Sequence, residues 1–204
     1  MQDAFHHILS SLPFQVLEVH PDNGSEFFNH HLLHFWKEKA PQIQLSRTRP
    51  WHNNDNPFVE QKNSSQVRAY LGHERLDTVA QTRLLNQLYD HLNLYTNLFQ
   101  PLMRVVEKVV IPAAKGQRPR VHRRYGPPLT PSQRLCQTQA LNDNERQRLT
   151  SLTERTNPRQ LRREIYHLVE KLFSLPNAEE GVTENVHETL HFPLESLKGG
   201  NVAR

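Results

Sequence analysis

From Ala4 to Leu12 the apolar residues Phe5, Ile8, Leu9 and Leu12 recur at helical spacing, which predicts a short helix ended by Pro13. Gln15 to Val19 is rich in β-favouring residues and predicts a strand. It runs into His20-Pro21-Asp22-Asn23-Gly24-Ser25, a turn whose Ser25 is placed to cap the next helix. That helix, about 26 to 40, sets Phe28, Leu32, Phe35 and Trp36 on one face and stops at Pro41. Ile43 to Arg47 predicts a second strand. The order helix, strand, helix, strand is that of an α/β layer with parallel strands joined by a crossover. Two strands are too few for a stable sheet, so further strands are expected from a partner or another segment.

Thr48 to Phe58 has two prolines among Asn and Asp and predicts a polar loop. Helix resumes near Val59, with Val59, Val67, Tyr70 and Leu71 on one side. A longer amphipathic helix runs from about Val79 to Tyr95, carrying Leu85, Leu88, Leu92 and Tyr95. Gln100 to Pro131 is basic and broken by prolines, and reads as an extended arm with no fold of its own. Asn142 with Glu145 forms a capping-box pattern that opens a helix to about Arg155, and Asn157-Pro158 opens another. In that last helix Leu161, Ile165, Leu168, Leu172 and Leu175 make a seam under three heptads long, which favours helix packing over a dimer zipper. The expected organisation is a partial α/β core at 1–99, a basic linker arm at 100–135, a helical hairpin at 136–176 and an acidic tail at 177–204, disordered or loosely attached.

Composition adjusts this picture in two places. The chain has 204 residues, 36% of them hydrophobic, with 14 prolines against 7 glycines, so one polar, largely helical core with appendages is expected. From Arg104 to Arg134 eight basic residues face one acid, Glu107, which suits a polyanion, whereas beyond residue 176 acids predominate. A lone Cys136 excludes an intramolecular disulfide. No apolar run approaches the roughly 18 residues of a membrane span, and His6 and His7 interrupt the start where an export signal is apolar. No membrane partner and a cytoplasmic location are expected.

The candidate chemistry begins at Asp22, at the end of a strand and the start of a helix, where a carboxylate is held on a rigid edge. Alone, Asp22-Asn23-Gly24 is also ordinary turn chemistry. A second segment changes the balance: Glu60 follows 37 intervening residues, within Asn54-Asp55-Asn56-Pro57-Phe58-Val59-Glu60-Gln61-Lys62-Asn63. Together with Asp22-Asn23-Gly24-Ser25-Glu26-Phe27 and Arg47-Thr48-Arg49-Pro50-Trp51-His52, this segment resembles the integrase-core transposases of bacterial insertion sequences. Asn93 to Met103 and Arg124 to Pro131 resemble the segments that follow the core in one branch of that family. The resemblance covers about residues 1 to 175.

The resemblance implies a ribonuclease H-like core in which two Asp and one Glu hold two divalent ions, Mg²⁺ or Mn²⁺, with Asp22 as the second acid and Glu60 as the third. Hard ions prefer such oxygen ligands, and a pair ~3.5–4 Å apart suits phosphodiester chemistry by serving both the attacking and the leaving oxygen. The first acid belongs on a strand upstream of the first helix, so the chain reads as a core truncated at its N-terminus and inactive alone. Asp3 sits in or beside a helix and Asp55 in a loop, and neither replaces it. His20 stands where relatives often have another Asp.

Beside the acids, Arg47, Arg49, Lys62 and Arg68 are candidates for holding phosphates, and Trp51 for stacking on a base. In the arm, Lys115, Arg118, Arg120, Arg123 and Arg124 are candidate DNA-backbone contacts. His30 and His34 have the i, i+4 spacing of helical zinc sites but lack a third ligand, and are read as surface or core histidines. The expected function is DNA binding and integration, with DNA and other transposase subunits as partners. The competing readings are a non-catalytic DNA-binding or assembly module, and a decayed fragment.

Overall fold

The computed structural model describes residues 2–21, 28–47, 61–112 and 118–191. It mixes helices with two small sheets, in keeping with a mixed α and β protein. The chain divides into two compact units, residues 1–88 with 167–204, and residues 89–166.

The first unit opens with α1 (Gln2–Ser11), β1 (Glu18–Val19), α2 (His30–Lys39) and β2 (Gln44–Leu45). The two strands pair in parallel, Glu18 beside Gln44 and Val19 beside Leu45, as the crossover order predicts. Each strand is shorter than expected. The Gln44 amide donates to the Leu17 carbonyl (2.9 Å) and the Ser46 amide to that of Val19 (3.1 Å). Helix α2 starts later than the sequence suggests: its cap is Asn29, whose side chain accepts from the Leu32 amide (2.9 Å), not Ser25. Asn29 serves because it sits three residues before the first donor its side chain reaches.

Leu32, Phe35, Trp36, Ala40 and Ile43 form a buried cluster, against which Phe5, Leu9, Val16, Val19 and Leu45 pack. The Phe5 ring meets Trp36 edge-on at 5.0 Å, and Phe35 meets it at 5.3 Å. This is the apolar face expected of α1 and α2, with Ile8 half exposed. Leu17, just before β1, is 72% exposed.

Residues 61–62 are helical, followed by a π-helical segment (Asn63–Arg68) that runs into α3 (Ala69–Leu71). The longest helix, α4 (Val79–Phe99), continues four residues past the expected Tyr95 and buries Gln81, Leu84, Leu88, Leu92, Thr96 and Leu98 at helical spacing. In place of an extended arm the chain forms a β-hairpin, β3 (Val105–Ile111) with β4 (Arg120–Tyr125), antiparallel. Its β-branched residues, Val105, Val106, Val109, Val110 and Ile111, override the proline signals, which fall outside the strands. The ladder has a bulge between Val105 and Glu107. A Cβ on Gly126 would lie 3.0 Å from Val106 Cγ1, so the chain passes the bulge as glycine.

A short α5 (Pro131–Cys136) follows, opened by a reciprocal capping box between Thr130 and Gln133. Helix α6 (Asp143–Arg155) carries the predicted box: the Asn142 side chain accepts from the Glu145 amide at 2.8 Å, and the Glu145 carboxylate accepts from the Asn142 amide at 3.3 Å. Helix α7 (Pro158–Ser174) begins at the predicted proline, with Asn157 accepting from the Arg159 and Gln160 amides. Leu161, Ile165 and Leu172 of the seam are buried, so it is used in packing.

Part of the acidic tail is pinned, contrary to expectation. The Ala178 amide donates to Asp77 (2.9 Å), Gln81 donates to Asn177 (2.9 Å), and Glu184 accepts from the Val79 amide (2.6 Å). A carboxylate at the first turn of α4 meets amides that lack helical partners and the positive end of the helix dipole. A 3₁₀ helix (Val186–His191) ends the described chain.

Candidate functional site

The parallel pair brings the ends of β1 and β2 to one edge, and polar side chains tie those ends together. His20 Nδ1 lies 2.7 Å from Ser46 Oγ, while the same hydroxyl donates to the Glu18 carboxylate. A hydroxyl has one proton, and here it goes to Glu18, so Nδ1 carries the hydrogen that reaches Ser46. His20 thus acts as a donor that fastens the two strands. This network has no sequence signature, because its partners are 26 and 28 residues apart.

Asp22 follows two residues after His20, and Glu60 immediately precedes the helical residues 61–62 and the π-helical segment. Asp22, Glu60, Arg49 and Lys115 lie outside the described residues, as do Trp51 and Asp55. Of the basic residues expected near the acids, Arg47 holds its guanidinium 5.7 Å above the Phe28 ring, joining the segment after β2 to the one before α2. Lys62 and Arg68 are exposed; Lys62 directly precedes the π-helical segment and Arg68 is its last residue. There the Ala69 amide reaches back five residues to Ser64, a widened turn of the kind often found at functional sites.

For a divalent ion the donor set fits by type: Asp22 and Glu60 offer hard carboxylate oxygens, which Mg²⁺ and Mn²⁺ prefer. Among the described residues no group of three or more His, Cys, Asp or Glu is arranged to hold a metal. His30 and His34 lie with ring centroids 6.3 Å apart, and His34 Nε2 is 3.2 Å from the half-exposed Glu38 carboxylate. That is a surface pairing along one turn of helix.

The basic candidates of the arm fall on the hairpin. Arg120, Arg123 and Arg124 are on β4, Arg118 just precedes it, and all four are exposed. Arg124 donates to Glu107 across the strands (3.0 Å). Arg120 stands opposite Ile111, and Arg123 opposite Lys108. Sequence alone does not set Lys108 apart from its basic neighbours, since its place depends on a register that the bulge shifts. Arg134 acts structurally, donating to the Leu102 and Pro127 carbonyls at the base of the hairpin, where Leu102 bridges Leu129.

Among the described residues no helix is long and apolar enough to cross a membrane. No family model and no solved structure matches the chain. It is 37% identical over 128 residues to a curated protein of Sinorhizobium fredii (strain NBRC 101917 / NGR234), the uncharacterized protein y4rM. The match covers 63% of this chain and 34% of that protein, so the chain spans about a third of the length of the relative it resembles.

Proposed function

We propose that these residues belong to the catalytic core of an integrase-core transposase of a mobile element, ribonuclease H-like in fold, which binds DNA and takes part in its integration. The observation that carries the reading is the parallel β1–β2 pair: its two ends, joined through Glu18, Ser46 and His20, lead into the segments that bear Asp22 and Glu60. Open α/β layers place their sites at the carboxyl ends of parallel strands, and Asp22 follows β1 in the sequence. The order of motifs along the sequence supports the same assignment.

In this reading Asp22 and Glu60 hold Mg²⁺ or Mn²⁺, which when bound activates the nucleophile and steadies the leaving oxygen. Arg47, Arg49, Lys62 and Arg68 draw the phosphate backbone toward the acids, and other transposase subunits are partners. The 204 residues hold two acids of the three-acid set that the resemblance implies, and by themselves they neither cut nor join DNA. The exposed, acid-poor hairpin favours a second reading, a non-catalytic DNA-binding module that works within transposase assemblies.

The 204-residue chain, mixed with linear duplex in Mn²⁺, is expected to bind with an affinity that falls steeply with salt and to leave both strands intact. Nicking that disappears on Glu60→Gln would contradict inactivity of the chain alone. Absence of duplex binding at low salt would contradict the whole reading.

A further inference from the structure

The hairpin β3–β4 has no cover among the described residues: every residue of both strands is exposed, including Val105, Val109, Val110, Ile111, Val121 and Tyr125. Two-stranded hairpins are marginal in water unless something packs on them. What covers this one is indicated by how its charges divide between its faces.

Side chains alternate across a strand, and residues paired across an antiparallel ladder share a face. One face therefore carries Glu107 with Arg124, Val109 with His122, and Ile111 with Arg120. On it Glu107 neutralises Arg124 through the 3.0 Å ion pair. The other face carries Lys108 with Arg123 and Val110 with Val121, with Tyr125 next along β4, and no acid. Lys108 and Arg123 are directly opposed, so their Cβ atoms stand ~4.5–5.5 Å apart, and like charges so placed repel. An anion seated between the two cations turns that repulsion into two charge-assisted hydrogen bonds. A second copy of the hairpin brings more positive charge and does not do this.

The geometry points to the Lys108–Arg123 face of the hairpin as a docking surface for the phosphate backbone of duplex DNA. A two-stranded ribbon is narrow enough to enter the major groove of the duplex, which brings this face beside the phosphates. The interaction is independent of sequence, because phosphates carry none. The inference rests on the DNA-binding reading above but uses residues remote in sequence from Asp22 and Glu60.

Charge reversal separates binding from folding. Arg123→Glu sets an acid opposite Lys108, and Lys108→Glu sets one opposite Arg123, so each variant replaces a repelling pair with an attracting one. With a short mixed-sequence duplex read by fluorescence anisotropy, each is expected to weaken binding about tenfold at low salt, with the melting temperature unchanged or raised. Lys108→Gln combined with Arg123→Gln is expected to lower the slope of log affinity against log salt by about one for each phosphate that is no longer neutralised. Arg124→Gln, which removes a charge that Glu107 already offsets, is expected to change affinity by less than about half as much on a logarithmic scale.

Affinity within twofold of the parent in both charge-reversal variants overturns the inference. So do equal losses from Arg124→Gln, or binding of polyglutamate or anionic vesicles as tight as that of DNA. If the parent binds duplex and the hairpin variants bind equally well, this inference alone fails. If the parent does not bind duplex, the broader reading fails with it.

Discussion

Replacing Trp36 by alanine is expected to destabilise the first unit by about 3–5 kcal/mol, because the indole is the largest side chain of the α1–α2 core and a large cavity remains. Trp36 is 4% exposed, touches Phe5 and Phe35 edge-on, and stands on α2. Small domains are stable by only ~5–15 kcal/mol, so such a loss leaves the first unit little margin. The indole also carries a cost: Nε1 is buried without a hydrogen-bond partner among the described residues. Trp36→Phe removes that stranded donor while keeping an aromatic ring, and it is expected to cost less than about half as much as the alanine variant. Urea unfolding followed by far-ultraviolet circular dichroism checks both. Equal losses from the two variants would show that ring packing is not what the site supplies.

Much of the core was legible for a physical reason. Leu32, Phe35 and Trp36 repeat at helical spacing, and periodicity is a local property that a sequence displays directly. The capping box at Asn142 and the proline opening α7 were legible in the same way. Thr130 and Gln133 form an equally readable box, but prolines on both sides obscured it. The hairpin was not legible, because Pro112, Pro119, Pro127 and Pro128 lie just outside strands whose valines supply the actual preference.

Pairings between distant segments were harder to foresee. That of Lys108 with Arg123 depends on register, the network at His20 on which strands adjoin, and the pinned tail on a helix end about a hundred residues upstream. For the candidate site, Asp22 and Glu60 came from motif order, while the structure added the strand edge from which their segments depart.

Gln81→Ala is the second large loss expected. Gln81 is 2% exposed, and its side-chain oxygen accepts from the amides of Asp77 (2.8 Å) and Thr78 (3.1 Å). Its nitrogen donates to Asn177 (2.9 Å), and its own amide donates to the Thr78 hydroxyl (3.1 Å). One buried amide thus closes a capping box at the start of α4 and holds the beginning of the tail. Alanine leaves two amides unserved and a void beside them, at a cost of about 2–4 kcal/mol. Asn177→Ala removes one of these bonds and is expected to cost about 1 kcal/mol. Limited proteolysis joins the two effects: Gln81→Ala is expected to expose residues 177–184 to cleavage at low protease, with the cut preceding loss of the helical signal. A tail as protected as in the parent, or a loss under about 1 kcal/mol, would mean that the junction is not held through Gln81.

Whether Asp22 and Glu60 act together as metal ligands is tested most directly by Mn²⁺ binding to the 204-residue chain without DNA, followed through the paramagnetic resonance signal of the free ion. The predicted result is weak, saturable binding that is lost in Asp22→Asn and in Glu60→Gln and kept in Arg123→Glu. Equal Mn²⁺ binding by the parent and by the chain carrying both carboxylate substitutions, or no binding by the parent, would contradict it.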